Sequence, residues 1–233
     1  MIDLNYVIQF IPKLLNYLPI TLEIFVISFV IGTVLGIIIA IPKLYNIPVL
    51  KTISSIYISF IRGTPILIQL FLVFYGLPAV VGLFGIDITR MDAFVFVIIT
   101  YSLSNAGQFA EIFRAAVRSI DYGQTEAAQA IGMTNRQIFV RIVFPQAFRI
   151  ALPNIGNAAI SSLKDTSLAF SIGVMDMMGR GETLIASTMK IFEVYIGLAI
   201  IYYVIVLIIE QLFKWSERFY NRHLNVQVQG GNI

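Results

Sequence analysis

The chain carries apolar stretches too long and too free of charge to be packed as ordinary strands or core helices. No charged side chain occurs from Ile24 to Pro42 apart from the flanking Glu23 and Lys43, and Ala93 to Ala110 is equally bare. A helix crossing about 30 Å of hydrocarbon needs roughly 20 such residues. It must also satisfy its own backbone, since lipid offers no hydrogen-bond partner. Segments of this kind run from about Leu14 to Ile41, Ile53 to Val81, Ala93 to Ala115, Ile150 to Val174 and Phe192 to Phe213. The fold class expected is therefore all-α integral membrane, with about five transmembrane helices in a single unit spanning residues 1–233. Composition agrees: 12% of residues are charged, against about 25% in a soluble domain.

The second stretch holds one charge, Arg62, and the fourth is interrupted by Lys164-Asp165. The fifth closes on the amphipathic run Lys214-Trp215-Ser216-Glu217-Arg218. Ile2, Val7, Ile8, Phe10, Ile11, Leu14 and Leu15 suit either a short helix lying along the outer interface or an extension of the first span. Asp3 precedes the first basic residue, Lys13, and no small-residue cleavage site follows, so the first apolar segment is expected to be retained.

Lysine and arginine placement sets the orientation. With the N-terminus outside, the inner side receives ten basic residues: Lys43, Lys51, Arg114, Arg118, Arg136, Arg141, Arg149, Lys214, Arg218 and Arg222. The outer side receives four: Lys13, Arg90, Arg180 and Lys190. That asymmetry obeys the positive-inside rule and leaves the C-terminus inside.

Several chemistries are excluded. There is no cysteine for disulfides or thiolate metal sites, and the single histidine, His223, cannot build a zinc site or a serine triad. Neither a G-x-x-x-x-G-K-[ST] loop nor a Rossmann glycine run occurs, so the chain is not expected to hydrolyse ATP.

Between the third and fourth stretches, at about residues 119–146, lies a run too polar to cross lipid. Thr125 is placed to cap a short helix from Glu126 to Ile131, and Glu126 complements its dipole. Gly132 suits the left-handed position that ends a helix without steric cost. Thr134-Asn-Arg-Gln137 matches a capping box that starts a second, amphipathic helix. Pro145 is expected to end or bend that helix. The product is an elbow of two helices at the membrane surface, serving either as a docking device or as a plain connector.

The elbow resembles the EAA motif of ABC importer permeases: Glu-Ala-Ala, three residues, Gly, nine residues, Ile, two residues, Pro. Glu126-Ala127-Ala128, Gly132, Ile142 and Pro145 stand at those spacings, with Phe144 where the family often has Leu. Arg62-Gly63-Thr64-Pro65 with Gln69 is similar to the R-G-T-P-x-x-x-Q stretch of polar amino-acid permeases, as is Leu163-Lys164-Asp165-Thr166-Ser167-Leu168 to their L-K-D-T-S-L. Ala110-Glu111-Ile112-Phe113-Arg114 and Gly123-Gln124 extend the likeness, which covers the chain from about the first span to the last.

The resemblance implies the type I ABC importer permease fold in a bacterial cytoplasmic membrane. It makes the elbow (Glu126, Ala127, Ala128, Gly132, Met133) the coupling helix seated in a groove of an ATPase subunit, which holds the ATP and magnesium. It implies an extracytoplasmic amino-acid-binding protein meeting outer loops near Gly82 to Asp92 and Arg180 to Lys190. It also implies a second permease, identical or related, in the surrounding lipid, and no nucleic acid. Thr64, Gln69, Ser104, Asn105, Lys164, Asp165, Thr166 and Ser167 become candidates for the substrate pathway.

Each candidate keeps a structural alternative. Lys164-Asp165 either satisfies a zwitterion in a central cavity or fixes helix packing. Arg62 either faces the pathway where Gly63 and Pro65 break the span, or anchors its inner end. Ser104 and Asn105 either meet substrate or a neighbouring helix. Glu111 and Arg114, three residues apart, suit an intrahelical pair. Asn157 to Ser162 carries no carboxylate, which turns the expectation from a cationic amino acid toward a neutral polar one such as cystine or glutamine. The rival readings are an ABC permease for another solute such as a phosphonate or betaine, an ion-driven secondary transporter, and an intramembrane enzyme. No convincing internal repeat supports the second and no G-x-S-x-G the third.

Overall fold

The computed structural model describes residues 3–221, and these are helical almost throughout. Ile2, Arg222 and His223 lie outside the described residues. Among the described residues four helices are long and apolar enough to cross a membrane, and a bent pair of helices makes a fifth if the two count as one span.

The first apolar residues form a helix of their own, α1 (Leu4–Leu15), rather than an extension of the first span. Asp3 caps it by accepting from the Asn5 amide at 3.0 Å. The chain turns at Asn16 and Tyr17, and α2 (Leu18–Leu44) starts with a proline in its first turn, where a missing N–H is harmless. Phe10 and Leu14 of α1 are buried with Val194, Leu198 and Ile201 of the last helix, α11 (Ile191–Asn221).

α2 lies against α6 (Ala93–Arg118) along most of its length. Gly32 and Gly36, four residues apart, make that approach possible. A Cβ on Gly32 would stand 2.4 Å from the Asn105 Cβ, and one on Gly36 would stand 2.7 Å from the Phe109 Cβ. Small residues at such a spacing let two backbones meet where dispersion, rather than water exclusion, must hold helices together. Ala40 and Ala110, both buried, continue the seam toward the end of α2.

The expected span from Ile53 to Val81 is not one rod. It is α3 (Pro48–Gly63) and then α4 (Ile66–Phe71), which runs through a π-helical turn at Leu72–Gly76 into α5 (Leu77–Gly82). The two halves are bent by 114°. Thr64 is extended because the following Pro65 excludes the helical conformation.

After α6 comes the elbow, α7 (Tyr122–Ala130) and α8 (Asn135–Ile138), and then α9 (Phe144–Asp165). Two local expectations are corrected. The first elbow helix starts four residues early, because Asp121 rather than Thr125 caps it, accepting from the Gly123 amide at 2.9 Å. Pro145 does not end the second helix either. A π-helical turn at Phe139–Val143 carries the chain onward, with the Phe144 amide donating to the Phe139 carbonyl, so that Pro145 falls in the first turn of α9.

At the end of the bundle far from the elbow, α9 tightens into a 3₁₀ turn at Thr166–Ile172 and stops at Gly173, whose φ is +92°. The stretch from Arg180 to Lys190, expected as an outer loop, is mostly α10 (Met177–Thr188). Asp176 caps α10 through the Gly179 amide at 2.9 Å. Its second carboxylate oxygen is buried without a partner, and burial pushes the carboxyl up to about 6.

Gly32→Ala and Gly36→Ala are each expected to lower the thermal stability of the detergent-purified protein by the equivalent of about 1–3 kcal/mol, the usual cost of overpacking. Gly82→Ala, whose Cβ meets nothing within 4 Å, is expected to change the melting temperature little. The Asp176 carboxyl titrates higher in the folded protein than in the unfolded chain, so its contribution to stability falls as pH rises toward 6. Lowering the pH from about 7 to about 5 is accordingly expected to raise the melting temperature by an increment that Asp176→Asn abolishes.

Candidate functional site

The 114° break between α3 and α4 forms one wall of an open cavity of about 560 Å³, lined on other sides by α6 and α9. Arg62, Thr64, Gln69, Ser104, Gln108, Glu111, Asn154 and Asp165 supply its polar lining, beside Ile61, Ile66 and Ile112. Of the pathway candidates, the structure brings Thr64, Gln69, Ser104 and Asp165 together here. It also recruits Gln108 and Asn154, which belong to no motif. Their signal in the sequence is only that amide side chains recur in helices otherwise apolar.

Gln69 is the latch of the break. Its amide nitrogen donates to the Ile61 carbonyl at 2.9 Å and to the Thr64 carbonyl and hydroxyl, both at 3.0 Å. The two carbonyls are ones freed where α3 stops before Pro65, so the motif spacing from Arg62 to Gln69 is the reach of one side chain across a broken helix. Tyr57 ties the same helix to α6 by donating to the Leu103 carbonyl at 2.6 Å.

The other candidates stand elsewhere. Asn105 donates to the Ser162 hydroxyl at 3.0 Å, a buried bond between α6 and α9. Thr166 is buried and returns its hydroxyl to the Leu163 carbonyl, and Ser167 does the same to Lys164, both at 2.7 Å. Tyr101 donates to the Asp165 carbonyl at 2.8 Å and so pins the point where α9 gives way to the 3₁₀ turn. Asp165 is half-buried in the cavity wall, whereas Lys164 is exposed. No ion pair joins the two among the described residues, since neighbours on a helix point about 100° apart. Lys164 instead ends an exposed stripe along α9 that includes Ile150, Pro153, Asn154, Asn157 and Ser161.

Glu111 and Arg114 form the expected pair, with the Arg114 Nε donating to the Glu111 Oε2 at 3.0 Å and Nη2 to its Oε1. Lys43 of α2 joins them at 3.4 Å.

At the elbow, Gly132 has a φ of +82°. The Gly132 amide donates to the Gln129 carbonyl at 2.9 Å and the Met133 amide to the Ala128 carbonyl at 3.1 Å, which closes the helix end as a Schellman turn. Thr134 and Gln137 exchange the two bonds of the capping box. With both ends of the turn tied, Glu126, Ala127 and Gly132 are left exposed, Met133 partly so, and Ala128 buried beneath them. Beside them Tyr122 and Ile131 stand 67% and 78% exposed, an uncovered apolar surface at the tip of the elbow. Neither residue belongs to the motif.

Residues 32–222 match the family described as the binding-protein-dependent transport system inner membrane component. The chain belongs to that family. It is 55% identical over 216 residues to the L-cystine transport system permease protein TcyL of Bacillus subtilis (strain 168), covering 93% of this chain and 90% of that protein. It is 43% identical to the probable amino-acid permease protein YxeN of the same organism, covering 93% and 95%. Its fold is also that of a chain in the crystal structure of an amino acid ABC transporter with histidines, with a TM-score of 0.83 at 33% identity over 94% of this chain and 99% of that one. The MetNI methionine ABC transporter shares the fold at a TM-score of 0.69 and 19% identity, covering 89% of this chain and 94% of that one. The likeness to ABC importer permeases of the polar amino-acid family holds along nearly the whole chain. The protein is a multi-pass, non-catalytic translocation subunit, and an ion-driven carrier or an intramembrane enzyme is set aside.

A Cβ on Gly132 would meet nothing within 4 Å, so only its backbone conformation is at stake on substitution. A left-handed alanine costs roughly 1–2 kcal/mol. Gly132→Ala is therefore expected to speed amide hydrogen exchange at Gly132 and Met133 by about five- to thirtyfold while leaving α2 and α6 unchanged.

Proposed function

We propose that this permease moves a neutral polar amino acid inward across a bacterial cytoplasmic membrane, with cystine the first substrate to test. The N-terminus then faces outside and the C-terminus the cytoplasm, an orientation supported by the basic residues at the elbow end. Cystine is favoured by the relative named an L-cystine transport system permease and by the absence of a carboxylate from Asn157 to Ser162.

The observation that carries the reading is the polar wall of the spanning bundle. Asp165 and Arg62 line one cavity, and Arg62 has no hydrogen-bond or ion-pair partner among the described residues. A carboxylate and a guanidinium in one membrane cavity suit the ammonium and carboxylate of a zwitterion, whose charges would otherwise cost several kcal/mol each in lipid. Ser104, Gln108 and Asn154 offer the neutral hydrogen-bonding groups that a polar side chain needs.

The exposed stripe on α9 extends the argument to a partner. Asn154, Asn157, Ser161 and Lys164 lie on a spanning helix and cannot face hydrocarbon without penalty. They are satisfied if a second permease, identical or related, completes the pathway against them. An ATPase subunit holding ATP and magnesium docks over the exposed Tyr122, Ala127 and Ile131 of the elbow. A binding protein delivers substrate at the opposite end, near Gly82 to Asp92. Closure of the ATPase pair draws the elbows together, and the spans rock about the cavity.

In proteoliposomes holding the permease with its ATPase and binding protein, Asp165→Asn is expected to lower uptake by about tenfold or more with the assembled complex recovered in normal yield. Labelled cystine uptake should be competed by unlabelled cystine far better than by arginine or histidine. Equal competition by arginine would overturn the neutral-substrate reading, and loss of assembly with unaltered residual specificity would return Asp165 to a packing role.

A further inference from the structure

We propose that Lys43 and Glu111 are positioning residues that make the last turn of α2 move with α6 and the elbow, so that displacement of α7 reaches the cavity wall without slip. The inference rests on the reading that an ATPase docks at the elbow.

The seam between α2 and α6 is close at Gly32 and Gly36 but has no glycine beyond, where both helices approach the elbow end. There α2 contains Pro42, which lacks an amide and leaves the last turn of the helix short of a hydrogen bond. That turn needs an external hold, and α6 supplies it at two points. Glu111 accepts from the Lys43 ammonium at 3.4 Å, and Arg118 donates to the Lys43 carbonyl at 3.5 Å. Lys43 is thus gripped by both its side chain and its backbone.

The other side of the clamp leads directly to the elbow. Arg114 holds Glu111 from one turn along α6, which fixes the carboxylate in place for Lys43. Only Ser119, Ile120 and Asp121 separate α6 from α7, and Ser119 returns its hydroxyl to the Ala116 carbonyl at 2.7 Å. A connection so short and so tied transmits movement rather than absorbing it. Glu111 itself borders the cavity, and Lys43 with Arg62 borders an adjoining cleft of about 390 Å³. The clamp therefore stands between the elbow and the wall that must move. The side chains of Lys43, Glu111 and Arg114 are only 17–23% exposed, which spares the network much of the screening that makes surface ion pairs weak.

The test is uptake per ATP hydrolysed in proteoliposomes containing the whole transporter. Lys43→Met is expected to keep hydrolysis within about twofold of the wild type while uptake per ATP falls about five- to tenfold. Glu111→Gln should cost less when added to Lys43→Met than when made alone, because the contact it shares with Lys43 is then already gone. Lys43→Arg, which keeps the ion pair, should restore the ratio. A ratio unchanged in Lys43→Met, or a double variant whose loss is the product of the two single losses, would overturn the proposal. So would a lower yield of complex whose remaining molecules transport with the normal ratio, since that marks a purely structural prop. A wild-type permease that recruits no ATPase would strike the docking reading instead and leaves a distinct signature, the absence of ATP-dependent uptake in every variant.

Discussion

The approach of α2 and α6 at Gly32 and Gly36 is the contact from which the rest of the bundle is built. In lipid, apolar side chains gain nothing by leaving hydrocarbon for protein, so two helices stay together only by packing closely enough to collect dispersion and polar contacts. Replacing side chains by hydrogen at two positions brings the α6 backbone within reach, and a Cβ at Gly36 would stand 3.0 Å from the Ala106 carbonyl. With that axis set, α9 bonds to α6 through Asn105 and Ser162, α3 docks through Tyr57, and the cavity is what remains between them.

Around this axis two of the departures from regular α-helix have an internal partner arranged for them. The break at Thr64 and Pro65 is closed by the three bonds of Gln69, and the end of α9 is pinned by Tyr101. The π-helical turn at Phe139–Val143 brings the chain to Pro145 with its hydrogen bonds made. Irregular backbone in a membrane protein is tolerated where protein or a cavity covers it, and here the break is also what creates the cavity wall. Polar residues in the spans thus divide into two kinds. Asn105 and Thr166 are consumed by helices, whereas Arg62, Ser104, Gln108, Asn154 and Asp165 line the cavity, and Gln69 joins the two by bonding α3 from the cavity wall.

Much of this was legible before any tertiary structure. The capping box at Thr134, the left-handed Gly132 and the pair of Glu111 with Arg114 all depend on residues within four positions of one another, where side-chain chemistry alone sets geometry. The local readings that failed did so through a nearby competitor. Asp121 displaced Thr125 as the cap because its carboxylate reaches the Gly123 amide and starts the helix one turn earlier. Pro145 was tolerated because a proline in a first turn breaks nothing.

By itself, the sequence determined that the chain is a multi-pass membrane protein, because hydropathy is summed along the chain and needs no fold. It determined the elbow as well, through contacts a few residues long. Only the tertiary structure decided that the second span is bent by 114°, and that Arg180 to Lys190 is a packed helix. It also decided which polar residues share one cavity and that Lys43 reaches Glu111 across 68 residues of chain. The reason is that a side chain's direction within a bundle follows from which helices meet and at what rotation. Those are set by seams such as Gly32 and Gly36 against α6, whose partner positions lie about 70 residues away and leave no periodic trace at the site itself.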